Sequence, residues 1–112
     1  MIQVESTSKN GLMVVRVTGR LDAAASNEFE QACGSAVAAG ARSLILEVSQ
    51  LRYVSSAGLR VVLSAAKAVQ GKGGTLRVAG LGGMVREVFE ISGFSGLFSQ
   101  HESVEAAVAA AG

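Results

Sequence analysis

Leu44-Ile45-Leu46-Glu47-Val48-Ser49-Gln50-Leu51-Arg52-Tyr53-Val54-Ser55-Ser56-Ala57-Gly58-Leu59 carries the chain from a short apolar run, through two serines, into a helical pattern. Leu44 to Val48 has the length and hydrophobicity of a strand buried in a parallel sheet. From Ser55 the period changes. Leu59, Val62, Leu63, Ala66 and Val69 fall on one helical stripe, and Arg60, Ser64 and Lys67 make a wet face. Gly71-Lys72-Gly73-Gly74 stops that helix. A buried strand feeding an amphipathic helix is half of a βαβ unit, so an α/β fold is expected.

The pattern repeats on both sides. Downstream, Thr75 to Ala79 reads as another strand. Met84, Val85, Val88 and Phe89 form an amphipathic helix halted near Gly93. Phe94, Leu97 and Phe98 are expected to pack back on the body through a short strand. Ser103 caps a last, Ala-rich helix with Val104, Ala107, Val108 and Ala111 on one side. Upstream, a helix runs from about Ala24 to Ala39, with Phe29, Ala32, Cys33, Ala36 and Val37 on one face and Gly40 as its stop. Leu12 to Thr18 is a strand that Gly19-Arg20-Leu21-Asp22 ends. It lies antiparallel to a short edge strand built on Ile2 and Val4, across a Lys9-Asn10-Gly11 turn. The expectation is one domain over residues 1–112, with a mixed, mostly parallel sheet of four to five strands, right-handed crossovers and about four helices.

Bulk properties narrow the function. The 112 residues suffice for one core, and 49% of them are hydrophobic. Net charge is +1 and aromatics are scarce, so a basic stripe is missing, stacking residues are few, and no nucleic-acid partner is expected. Cys33 is the single cysteine and fits a reducing compartment. It falls on an apolar helix face and reads as a small buried hydrophobe. Met1 to Glu5 lacks a signal-peptide pattern and no apolar run reaches membrane-spanning length, so a cytoplasmic protein without direct membrane insertion is expected.

The two serines carry the chemistry. Serine is a favoured N-cap because its oxygen accepts from an unpaired helix N–H. Free N–H groups and the helix dipole also favour an anion there, so a phosphoserine is well placed. The added charge is about −1.5 to −2 at neutral pH. Ala57 and Gly58 are small enough to let a partner approach the backbone. Periodicity by itself shows a capped helix and nothing more.

From residue 2 to about residue 110 the chain resembles the STAS family of anti-sigma factor antagonists. The carriers are Gly19-Arg20-Leu21-Asp22, Leu46-Glu47-Val48-Ser49, Val54-Ser55-Ser56-Ala57-Gly58-Leu59, and Ile91-Ser92-Gly93-Phe94 with Leu97-Phe98. The resemblance implies a STAS-type fold and a non-enzymatic, phosphorylation-switched binding module. Its partner is then an anti-sigma factor with serine kinase activity, and a phosphatase resets the cycle. Aligned on Gly58-Leu59, the phosphoacceptor falls on Ser56, with Ser55 as the alternative because it stands where the family commonly has Asp. Asp22, Ser55, Ser56, Ala57, Gly58, Leu59 and Arg60 are the expected partner-binding residues. Asp22 has two readings: a group that orients the serine or contacts the partner, or a helix N-cap or turn carboxylate. An exposed binding face can also support a weak dimer. A rival within the family is a non-phosphorylated STAS subunit of a lipid ABC transporter-like membrane assembly.

Other motifs carry less. Gly80-Leu81-Gly82-Gly83 lacks the third small residue of a dinucleotide fingerprint, since Val85 stands there, and reads as an ordinary strand-to-helix turn. His101, the single histidine, is expected in an exposed loop. A serine hydrolase would need it beside Ser55 or Ser56, and no nucleophile-elbow sequence is present. Arg52 and Tyr53 either line the partner surface or, for Tyr53, pack the ring inward. No cofactor and no metal are expected.

Overall fold

A computed structural model describes residues 2–9 and 11–111. Strands β1 (Ile2–Lys9) and β2 (Leu12–Leu21) form an antiparallel hairpin in continuous register from Ile2↔Gly19 to Lys9↔Leu12. Gly11 takes a φ of +79° at its turn, as a tight hairpin requires; Asn10, the centre of the expected turn, lies outside the described residues. The chain continues through α1 (Ser26–Ala38), β3 (Leu44–Glu47), β4 (Leu51–Val54), α2 (Ser56–Gln70), β5 (Leu76–Ala79) and α3 (Gly83–Ile91). A 3-10 turn (Phe94–Gly96), β6 (Ser99–His101) and α4 (Val104–Ala111) complete it.

Among the described residues the sheet has six strands in the order β1-β2-β3-β5-β6, with β4 paired to β2, and every pairing except β1–β2 is parallel. β2 is shared lengthwise. Met13 to Arg16 pair with β3, and Gly19 to Leu21 pair with β4 after a register shift between Gly19 and Arg20. Gly19-Arg20-Leu21 was expected to end β2. It prolongs the strand through a bulge instead, and Gly19 is the residue that can adopt the required φ of +104°. This extension gives β4 a partner and raises the strand count from the expected four or five to six.

Alternation along the strands divides the interior. Val15, Val17, Leu44, Leu46, Leu76 and Val78 face a main core shared with Phe29 of α1, Val62 and Val69 of α2, and Phe89 of α3. Val14, Ile45 and Ala79 face the other way, against Val104 and Ala107 of α4. The last helix is capped as expected, since Ser103 Oγ accepts from Ala106 N–H at 3.1 Å. α1 begins at Ser26 rather than near Ala24, because Asp22 to Ala25 form a turn. Among the described residues no helix is long and apolar enough to cross a membrane.

Candidate functional site

The ends of β2 and β4 bring the expected site residues together. Ser55 N–H donates to the Leu21 carbonyl at 2.9 Å, so the residue before α2 is tied to the end of β2, beside Asp22. Ser55 has extended backbone (φ −90°, ψ 171°), and its Oγ accepts from Gly58 N–H at 3.2 Å. It is the N-cap of α2, and its hydroxyl oxygen is engaged in that role. Ser56 is the first helical residue and is exposed. The two serines therefore have different occupations: one closes the helix and the other stands in solvent.

Gly58 and Leu59, expected at a partner contact, point inward and are buried. A Cβ on Gly58 would lie 2.8 Å from Leu21 Cγ and 3.0 Å from Val54 Cγ2. The missing side chain lets α2 seat on the strand ends, so it serves this molecule's own packing rather than a partner's approach. Leu59 enters the main core. Ala57 is half-buried, and Arg60 is exposed one turn on from Ser56.

Asp22 is a turn carboxylate. Its Oδ1 accepts from Ala25 N–H at 2.9 Å, and its carbonyl accepts from the same N–H at 3.1 Å. Across the β2–β4 pair the Arg20 guanidinium lies 4.5 Å from the centroid of the Tyr53 ring, a cation–π contact that half-buries the tyrosine. Arg52 is exposed.

Three residues of α1 were not found from the sequence. Ser26, Asn27 and Glu30 join Ala57, Arg60 and Ser64 around a hollow of about 290 Å³ between the starts of α1 and α2. Their signal was the polar face of α1, which periodicity assigns to solvent without saying what stands next to it. Further along the same two helices, a groove of about 350 Å³ is lined by Cys33, Val37, Val61 and Ala65. Burial pushes the Cys33 thiol up to about 12, with Glu30 adding to the rise, so this cysteine is an inert hydrophobe as expected.

Glu47, noted in the sequence only as part of the Leu46-Glu47-Val48-Ser49 motif, is 8% exposed at the end of an apolar strand. Its Oε1 accepts from Ser49 N–H at 3.2 Å and Ser49 Oγ at 3.0 Å, with Arg16 Nε at 3.8 Å. The carboxylate holds the turn that takes β3 into β4, and hence places Ser55. Gly80 closes on it from the next strand: a Cβ there would meet Ser49 Cβ at 2.8 Å and Glu47 Oε2 at 3.1 Å. The glycine turn after β5 is explained by this close approach.

His101 is on β6, not in a loop. It is registered with Ala79 on the α4 side of the sheet, and its Nε2 lies 3.3 Å from Arg77 Nη1. β2 and β6 are separated by two strands, about 14 Å across the sheet. The histidine thus stands on the opposite face from α2 and is turned to an arginine rather than to a serine.

The STAS domain profile matches residues 3–108. The chain belongs to the STAS family. It is 41% identical over 101 residues to the Bordetella bronchiseptica protein BtrV, assigned as an anti-sigma factor antagonist, covering 90% of this chain and 87% of that protein. Its fold matches the crystal structure of an anti-sigma factor antagonist from Mycobacterium paratuberculosis with a TM-score of 0.91 at 24% identity, over 99% of this chain and 94% of the other. The phosphorylated form of the Bacillus cell fate determinant SpoIIAA matches with a TM-score of 0.74 at 23% identity, over 96% of each chain. The expected STAS-type, mostly parallel sheet with four helices is the observed architecture.

Proposed function

We propose that this STAS protein is an anti-sigma factor antagonist switched by phosphorylation of Ser56. Unmodified, it binds an anti-sigma factor that is also a serine kinase and so releases a sigma factor. The docking surface is the start of α2, with Ser55, Ser56, Ala57 and Arg60 at its centre, Asp22 beside it, and Gly58 and Leu59 setting its shape from below. The kinase transfers the γ-phosphoryl group of ATP to Ser56 Oγ. An O–P bond forms as the bond to ADP breaks, and the hydroxyl proton passes to the kinase. The added charge and bulk then oppose the interface by desolvation, with the fold unchanged. A separate phosphatase resets the serine, and the cycle runs in the cytoplasm. The chain is the substrate and supplies no catalytic group.

The observation that carries this reading is the division between the serines: Ser56 is exposed at the first position of α2, while Ser55 Oγ is held by Gly58 N–H. No acidic residue stands in the first turn of α2, so a phosphate there meets no like charge from that turn. The relatives described above are named as antagonists rather than as transporter subunits, which favours this reading over the membrane-assembly one.

Intact-mass spectrometry with site mapping on protein from its native host tests the switch. A phosphate on Ser56 that disappears in Ser56→Ala, together with kinase retained by the unmodified form only, is the expected result. Phosphate on Ser55 moves the acceptor by one residue. Absence of phosphate under every growth condition, with phosphatases inhibited, overturns the switch and leaves a constitutive binding subunit.

A further inference from the structure

The two edges of the sheet differ. β6 is three residues long, whereas β1 runs for eight residues, from Ile2 to Lys9, in unbroken register with β2. Residues 5–9 of β1 are all exposed. The outer side of β1 pairs with no strand among the described residues, and the strand has neither Pro nor a bulge. Natural edges of this length are usually blunted or covered, because their free N–H and C=O groups template a further strand.

The charges of β1 select what that strand is. Glu5 and Lys9 are its only charged residues. Place a second β1 antiparallel with Thr7 opposite Thr7. Glu5 then faces Lys9 of the other copy at both ends, and Ser6 faces Ser8. Among antiparallel registers, this one sets every charge opposite its complement. Centring one residue either way loses both pairs. Directly opposed side chains in such a ladder are about 4.5–5.5 Å apart at the Cβ atoms, close enough for opposite charges to favour one register and like charges to oppose another.

We propose that this edge is a self-association surface: two copies join their β1 strands antiparallel about a twofold axis at Thr7, extending one sheet through both molecules. Five residue pairs bury well under the roughly 1,200 Å² of a stable interface, so the dimer is weak and concentration-dependent. Residues 5–9 lie toward the amino ends of β2 and β3, whereas Ser56 follows the carboxyl end of β4. Both copies therefore keep their α2 starts open, and a dimer presents two of them at once. The proposal stands whether or not Ser56 is phosphorylated.

Charge exchange and cross-linking on the full chain test it. Sedimentation equilibrium of the wild type should show a monomer–dimer balance. Glu5→Lys and Lys9→Glu should each weaken it, by about 5-fold or more given the two like-charge pairs created. The double exchange should return it to within about 2-fold of wild type by restoring both pairs. Within each copy Glu5 is registered opposite Arg16, and Lys9 Nζ lies 3.7 Å from Glu105, so a second readout avoids these charges. Thr7→Cys should form a disulfide-linked dimer under mild oxidation, while Glu5→Cys, displaced by four residues from its own copy, should not. Cys33 is buried and stays out of the reaction. A wild type that remains monomeric at about 1 mM overturns the proposal, since association weaker than that has no standing in solution. Thr7→Cys linking no better than Glu5→Cys overturns it as well.

Discussion

The starts of α1 and α2 sit side by side at one end of the sheet and are built in opposite ways. α1 begins after a turn held by the Asp22 carboxylate, has no side-chain cap at Ala25, and carries Glu28 in its first turn. Its amino end already has negative charge on it. α2 begins on a neutral serine cap and has no acid in its first turn. Its amino end carries the dipole's partial positive charge with no carboxylate in its own first turn to offset it. One helix start is electrostatically finished. The other has room for an anion, and the residue standing there, Ser56, is one that can acquire one.

The strongest way to break that contrast is to unseat α2. Gly58→Val places carbon atoms where Leu21 and Val54 already stand, and overpacking of this kind costs about 3 kcal/mol. The expected fall in melting temperature is roughly 10–15 °C for a domain of this size. A melting curve like the wild type would mean that α2 does not lie on Leu21. Next in size is the cap itself. Ser55→Ala should lower stability by about 1 kcal/mol in urea titration, and Ser55→Asp should recover most of it. If both variants match the wild type, the Gly58 N–H bond has no energetic weight.

On the α1 side, Asp22→Ala removes one hydrogen bond at a half-exposed turn and should cost about 0.5–1 kcal/mol, with Asp22→Asn costing less. A loss of partner binding far beyond that stability change would give Asp22 a contact role in addition. The smallest effect belongs to the exposed serine. Ser56→Ala should shift stability by no more than about 0.5 kcal/mol. Ser56→Asp should raise it by about 0.3–1 kcal/mol at low salt, an increment that salt screens away. Destabilisation by Ser56→Asp would show that the amino end of α2 does not welcome negative charge.

Much of this arrangement was legible in the sequence, because long periodic segments announce themselves. Leu44 to Val48, the stripe of α2, a serine cap at its start and the cap at Ser103 all followed from spacing and residue type. The features that escaped lack a periodic signature. β4 is four residues whose buried ends, Leu51 and Val54, are three apart, which breaks a strand's alternation. The far half of β1 is polar on both faces, so nothing but its pairing with β2 marks it as a strand. The short strand expected with Phe94, Leu97 and Phe98 lies just beyond them, at Ser99-Gln100-His101, where no alternation marks its bounds, and Phe94 to Gly96 form a 3-10 turn. The carboxylate of Glu47 becomes intelligible only when Ser49 and Arg16 fold around it. At the site, the resemblance put Ser56 ahead of Ser55 as acceptor, but which serine caps the helix stayed open. The hydrogen bond from Gly58 to Ser55 decides it.

The division of β2 between β3 and β4 has a consequence for how the molecule opens. β3 lies between β2 and β5 and is bonded on both sides, whereas among the described residues β4 is registered to β2 alone, through Gly19, Arg20 and Leu21. Regions held by few backbone bonds open at a lower free energy than the centre of a sheet. In amide hydrogen exchange, β4 and the first turn of α2 should lose protection together and well before β3 and β5. The segment bearing Ser56 then loosens from the end of β2 while the core remains closed.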